Sequence, residues 1–377
     1  MTLTTIDAGP GPRTHALVIG IGGYDHLRGG SGQPMKGLLK FGNLGQLTSP
    51  PRSALAIVAA LKSDALEWQA PLGTIELLVS PAPEDPDPAS DGTRFDPPTR
   101  DEVQAAFDAW WERCDSDAGN TAFLYVAGHG LQGADQIFLA SDFGASSNQP
   151  WRTAINMSKT HRALSANRAQ TQIVLVDACR EVTTSNVENP DPSAPALRDP
   201  ELRQPDNCLY ELTIMATSRT RRAYGPSGKP SYFASAIIAG LNGGAGMKSD
   251  GNWWVTSGKL AERLYALMDY AGADTNQQRP IPTASRTMRL ARLRSTPPAR
   301  LQLLCQPDDA TGLADLSWRL GAAARQRRPR RAQTPWVIDV APGLYWVSAT
   351  FPGGEYQDRE QDVIVEPPVT CERIVVT

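Results

Sequence analysis

Two runs of the chain are apolar without a break, and the rest of the pattern is organised around them. Residues 121–127 read TAFLYVA and residues 173–176 read IVLV. Continuous β-branched and aromatic runs of this length suit strands covered on both faces, as inside a parallel sheet. Residues 15–21 and 74–79 share that character, and 209–217 adds another strand. Between these runs the period changes to that of helices. Ser49-Pro50-Pro51 opens one whose apolar face lies within 54–61, proline being tolerated in a first turn. Thr99 stands three residues before Glu102 as a capping box, and Val103, Phe107, Trp110 and Trp111 form the stripe behind it. Residues 162–167 belong to a crossover helix, 231–241 form another, and Leu260, Leu264 and Met268 mark a last one over 259–270. Strands alternating with helices predict an α/β fold, a mostly parallel sheet sandwiched by helices.

Past residue 277 the pattern shifts to short strands broken by glycine and proline, at 288–294, 301–304 and several places between 335 and 377. These predict a small all-β domain, antiparallel and sandwich-like. The expected division is 1–280 for the first domain and 285–377 for the second. Residues 1–13 read as a loose arm and 29–48 as a loop. Residues 81–98, PAPEDPDPASDGTRFDPP, form an acidic, proline-dense excursion with no regular structure expected. Residues 325–331, RQRRPRR, read as an exposed loop, because so many arginines are not buried unpaired. Residues 181–208 hold five prolines in a polar run and predict a flexible, exposed linker.

Composition narrows the function classes. The 377 residues are 41% hydrophobic and 20% charged, ordinary values for a globular protein, and the formal net charge of -3 gives no reason to expect a nucleic-acid partner. Five scattered cysteines do not make a disulfide framework and fit a reducing compartment where a reactive thiol survives. The N-terminus lacks the basic start and apolar core of a signal peptide, and no apolar run is long enough to span a bilayer. A cytoplasmic protein with no membrane partner is expected.

The candidate chemistry sits where the two apolar strands end. Residues 121–127 empty into Gly128-His129-Gly130, and 173–176 into Asp177-Ala178-Cys179-Arg180, His129 and Cys179 being fifty positions apart. That spacing allows a helical crossover to bring both strand ends to the carboxyl edge of one sheet, where ligands usually bind. Cysteine and histidine within hydrogen-bond reach are the minimum equipment for thiolate attack on a carbonyl. His161 is the nearest rival base, but nothing around it resembles a strand exit. The glycine-rich GIGGY at 20–24 lacks a third glycine in register for a dinucleotide site, and no G-x-S-x-G elbow occurs. Asp85, Asp87, Asp91, Asp115 and Asp117 lack a calcium-loop frame and read as turn residues, so neither metal nor cofactor is expected.

With these boxes, the chain resembles the caspase-like cysteine peptidases (peptidase C14), and within them the metacaspases and bacterial caspase-like proteases. The likeness rests on ALVIGIGGY at 16–24, YVAGHG at 125–130, VDACR at 176–180, and TIMATSRTRRAYG with YFASAIIAGL at 213–225 and 232–241. The resemblance implies Cys179 as nucleophile and His129 as base, an oxyanion hole from the amides of Gly130 and Cys179, and Asp177 as the floor of a pocket for a basic P1 residue. Asp135 and Asp142 match acidic positions of metacaspases loosely and serve equally well as turn residues. Arg52, Arg219, Arg221 and Arg222 keep an Asp-binding pocket open as the alternative, and an inactive scaffold is a further one. Self-processing in the 181–208 linker would place Arg198 or Arg203 at P1. The expected partners are a protein or peptide substrate and a regulatory protein bound through the C-terminal β-domain.

Overall fold

The computed structural model describes residues 2–7, 9–183, 185, 188, 193–201, 206–218, 223, 225–328 and 335–377. Its centre is a seven-stranded sheet. In chain order the first elements are β1 (Thr2–Thr5), β2 (Thr14–Ile21), α1 (Ser49–Leu61), β3 (Leu66–Trp68), β4 (Leu72–Ser80), α2 (Arg100–Asp115) and β5 (Thr121–Gly128). A flap follows from β6 (Gly130–Gln132), β7 (Gln136–Leu139) and β8 (Ala154–Asn156), then α3 (Met157–Leu164), β9 (Thr171–Ala178), β10 (Tyr210–Met215) and α4 (Tyr232–Ala239). Next come β11 (Gly246–Ser249), β12 (Asn252–Thr256), α5 (Ser257–Tyr270), β13 (Ile281–Ala284) and β14 (Arg289–Leu293). The sheet runs β1-β4-β2-β5-β9-β10-β13, parallel from β4 to β10 and closed by an antiparallel strand at each edge.

The continuous apolar runs are explained by two cores. Side chains alternate across a strand, so Phe123, Tyr125, Ile173 and Leu175 enter one core with α1, α4 and α5. Leu124, Val126, Val174 and Val176 enter the other, under α2 and the flap. Thr99 caps α2 as expected, its hydroxyl accepting from the Glu102 amide at 3.3 Å. No described helix is long and apolar enough to cross a membrane.

Residues 299–377 build a third core between two sheets. The strands are β15 (Ala299–Gln306), β16 (Asp315–Leu320), β17 (Gln326–Arg328), β18 (Trp336–Val340), β19 (Gly343–Thr350), β20 (Arg359–Val365) and β21 (Val369–Val375). They pair as β18-β15-β21 and β17-β16-β19-β20. The sandwich is not purely antiparallel, since β15 and β21 run parallel. It docks on α5, where Glu366 meets Lys259 at 3.0 Å and also pairs with Arg263.

Four expectations need correction. Part of the N-terminal arm is β1, paired with β4, because its backbone finds a free sheet edge. Strand 289–293, assigned by pattern to the β-domain, instead pairs with β12 and β3. In the arginine run, 326–328 is a strand: Arg327 pairs with Asp315, and Arg325 and Arg328 lie 5.0 and 5.4 Å from the Trp346 and Trp336 ring centres. The 181–208 linker is not exposed throughout. Ala194, Ala196 and Leu197 are buried; Pro195 O accepts from Asn156 N at 2.9 Å, Ala196 O from Arg100 Nη2 at 2.9 Å and Leu197 O from Gln104 Nε2 at 2.8 Å. Those carbonyls give acceptors to the Asn156 amide and the Arg100 guanidinium, and one shares Gln104 Nε2 with Asp108.

Candidate active site

Because β5 and β9 are parallel and in register, with Gly128 opposite Ala178, His129 and Cys179 leave the sheet side by side. Both line a groove of about 750 Å³ together with Gly128, Gly130, Asp177, Ser231 and the 42–50 segment. Gly130 is required here, since a Cβ would run into the Cys179 carbonyl. At Gly128 a Cβ would stand 2.7 Å from the Tyr24 hydroxyl. The sequence therefore places glycine on both sides of the imidazole because the backbones and Tyr24 crowd it.

Buried Tyr24 holds the histidine loop. The His129 N–H donates to Tyr24 Oη at 2.8 Å, and the two rings are 4.9 Å apart. His129 Nε2 lies 2.7 Å from the Gly45 carbonyl. A carbonyl only accepts, so Nε2 carries the proton and Nδ1 keeps its lone pair. Burial pushes His129 down to about 4, against the raising effects of the Gly45 carbonyl and the Glu181 charge. The imidazole is thus neutral at pH 7 and able to accept a proton. Cys179 Sγ accepts from Ala223 N–H at 3.3 Å and lies 3.7 Å from Ala223 O.

Asp177 is buried on the same groove, its Oδ2 accepting from Tyr125 Oη at 2.8 Å and Ser231 Oγ at 2.5 Å. Burial raises its carboxyl to about 6, opposed by these two hydroxyls. Ser231 is also the N-cap of α4, accepting from Ala234 N at 2.9 Å. Its own amide is held by Ser53 Oγ of α1 at 2.8 Å, so two helix starts wall this part of the groove.

Other candidates fall elsewhere. Arg52 does not line the groove: its Nε and Nη2 grip both oxygens of Asp85 at 2.6 and 2.7 Å. Arg219, Arg221 and Arg222 lie outside the described residues, as does Arg203. Arg198 stacks 4.3 Å from the Trp111 ring centre on the α2 side of the molecule. His161 bonds Glu211 and Thr213 at 2.9 Å each, beside the start of β10 and not at its exit. Asp142 accepts from the Arg100 amide at the α2 start at 2.9 Å, and Asp135 from Asn156 at 2.9 Å, so both hold structure together. Tyr24, Gly45, Tyr125, Ser231 and Ala223 are site residues that sequence reasoning did not single out. Tyr24 ends the GIGGY turn, which was a usable signal; a backbone acceptor such as Gly45 O leaves no side-chain signature.

Residues 13–290 match the family model described as the caspase domain, Peptidase_C14. Over 183 residues the chain is 26% identical to an uncharacterized protein, y4kE, of Sinorhizobium fredii, a match spanning 48% of this chain and 52% of that protein. The chain thus matches about half the length of this curated relative. Among solved structures, caspase-1 from Spodoptera frugiperda is similar at a TM-score of 0.39 and 14% identity, over 73% of this chain and 88% of that one.

Proposed function

The chain belongs to the caspase-domain peptidases of the C14 family, and from that premise we propose that it is a cysteine endopeptidase cutting after arginine or lysine through Cys179 and His129. The observation that carries this reading is the convergence on one groove of a thiol, a neutral imidazole and a buried carboxyl. In the proposed reaction, Nδ1 of His129 takes the thiol proton as Sγ attacks the scissile carbonyl. The amides of Gly130 and Cys179 receive the oxyanion. The C–N bond then breaks, the amine leaves with the proton from Nδ1, and a thioacyl-enzyme remains. Water, giving a proton to His129, releases the acid and restores the thiol.

Asp177 supports basic P1 specificity, because a carboxylate in a desolvated pocket favours a guanidinium and repels an acidic side chain. The Asp-specific alternative loses one of its arginines, since Arg52 is committed to Asp85. Self-processing belongs to the proposal with Arg203 as its P1 residue. Arg198 suits that role poorly, its neighbours being tied down by backbone hydrogen bonds.

The test is direct. Cys179→Ala and His129→Ala should each lower turnover of an Arg peptide by roughly a thousandfold or more while the protein melts as wild type does. Near-normal turnover by either folded variant rules out the pair. N-terminal sequencing of fragments should place any self-cleavage after Arg203, and none should form in Cys179→Ala.

A further inference from the structure

The acidic, proline-dense excursion at 81–98 borders the groove, and the reaction as proposed gives it no role. It has no regular structure, yet it is held. Arg52 of α1 grips Asp85 with two hydrogen bonds and reaches Pro88 O at 3.4 Å. Asp87 accepts from the Gly92 amide at 3.2 Å and Asp91 from the Thr93 amide at 2.9 Å, so both carboxylates close turns of their own loop. Asp85 N also bonds Ala82 O at 3.0 Å, which fixes the backbone around residue 84. Glu84 differs from its neighbours. It is exposed, it makes no hydrogen bond or ion pair among the described residues, and it lines the same groove as Cys179, His129 and Asp177.

Among the described residues that line the groove, the formal charges are the carboxyls of Glu84, Asp177 and Glu181 and the guanidinium of Arg28. The balance favours a cationic ligand, and Asp177, fixed by its hydroxyls beside the nucleophile, takes one cation. Glu84 sits on a different element and cannot serve the same buried spot, because its loop is pinned from below by α1 and its carboxylate is in water. Resting on the peptidase reading above, we infer that Glu84 receives a second basic side chain of the substrate, so that the groove selects peptides carrying two cationic residues, one at P1 and one a few positions away. The Arg52–Asp85 pair is then the positioning device for this second contact, an arginine that holds the selecting loop and not the substrate.

The test is a set of fluorogenic peptides with Arg at P1 and a second Arg moved in turn through P4, P3, P2, P1′ and P2′, each compared with its alanine partner. In wild type at low salt, one position should raise kcat/KM by roughly fivefold, as expected for one partly solvated ion pair, and high salt should erase the gain. Glu84→Gln should bring that ratio to about one, and Glu84→Lys should make glutamate preferred over arginine at the same position. No favoured position in wild type, or a preference that survives in Glu84→Gln, overturns the inference while Arg-dependent turnover still supports the peptidase reading. A wild type that labels at Cys179 but cleaves no Arg peptide overturns both.

Discussion

The carboxyl edge of the central sheet and the C-terminal sandwich treat their carboxylates in opposite ways. In the sandwich three acids are matched with arginines: Asp315 with Arg327, Asp339 with Arg300 at 2.7 Å and Asp308 with Arg373 at 2.8 Å. The central sheet does the same away from its edge, where buried Glu76 of β4 pairs with Arg113 of α2. Asp177 is as buried but has two hydroxyls and, among the described residues, no cation. Burying a carboxyl without a countercharge costs stability, and its pKa rises in response. Buried Glu76 and Asp315 are matched with arginines while Asp177 stands at a strand exit without one, and that contrast is what supports its proposed role in the P1 pocket.

The comparison breaks first if the two regions are not separable. Trp336 is fully buried in the sandwich core, and Trp336→Ala should destabilise that core by about 3–5 kcal/mol. Calorimetry should show a low-temperature transition for the sandwich, with labelling of Cys179 by a peptidyl electrophile kept within about threefold below it. Loss of labelling together with the sandwich would mean that the sandwich builds the groove.

The next largest effect tests the poised carboxyl. Asp177→Asn should cut kcat/KM for P1 Arg peptides by about a hundredfold, the loss expected when a buried charge pair cannot form. Since burial holds Asp177 near 6, wild-type kcat/KM for such peptides should rise as pH goes from about 5 to 7, and the variant should lack that rise. Stability moves the other way. A folded pKa raised above the unfolded value means that the native state holds the proton more tightly. Wild type therefore loses stability relative to Asp177→Asn as pH climbs from about 4 to about 6, by an amount of the order of 2 kcal/mol. Urea melts at pH 4 and pH 7.5 give the sign, and a variant less stable at pH 7.5 would show that Asp177 is structural.

Much of this arrangement was legible in the chain because local pattern carries it. The runs at 121–127 and 173–176 announce interior strands, and the glycines around His129 and the Asp-Ala-Cys step after β9 mark their exits. What could not be read depends on pairings with no local sign. Leu66–Trp68 meets 289–293 across more than 200 residues, and together with β12 that contact takes the strand away from the β-domain to which its pattern assigned it. The strap at 194–197 has two alanines and one leucine to bury, too few for any period, and is fixed by its backbone carbonyls. Glu84 looks like every other acid in its loop in the sequence; what sets it apart is its place on the groove, while Asp85 is held by Arg52 and Asp87 and Asp91 close turns of the loop.

A smaller effect is expected at Tyr24, which sharpens what the edge contributes beyond charge. Tyr24→Phe keeps the ring against His129 but removes the acceptor for the His129 amide, leaving a buried N–H unsatisfied at a cost of about 1–3 kcal/mol. If part of that appears as misplacement of the imidazole, kcat for an Arg peptide should fall about tenfold with KM little changed. A variant that raises KM and leaves kcat alone would assign Tyr24 to substrate binding instead.

The smallest effect probes a place where the sandwich touches the rest of the molecule through charge. Glu366 of the sandwich meets Lys259 and Arg263 on α5, and α5 packs on α4, whose N-cap Ser231 donates to Asp177. A path of contacts therefore exists from the sandwich to the groove, but a path is not coupling unless one of its parts has two states. Neither helix shows a second state among the described residues: α4 is capped at its start by Ser231, and a Cβ on Gly240 at its end would stand 3.3 Å from Leu267 of α5, so that end is closely packed. Glu366→Gln should thus weaken docking by no more than about 1 kcal/mol, as for other partly exposed pairs, and change kcat/KM for Arg peptides by less than about twofold. A larger shift in KM for Arg peptides, with Cys179 labelling by a small thiol reagent unchanged, would show the sandwich acting on the Asp177 pocket through Ser231 and would join the two regions that their carboxylates set apart.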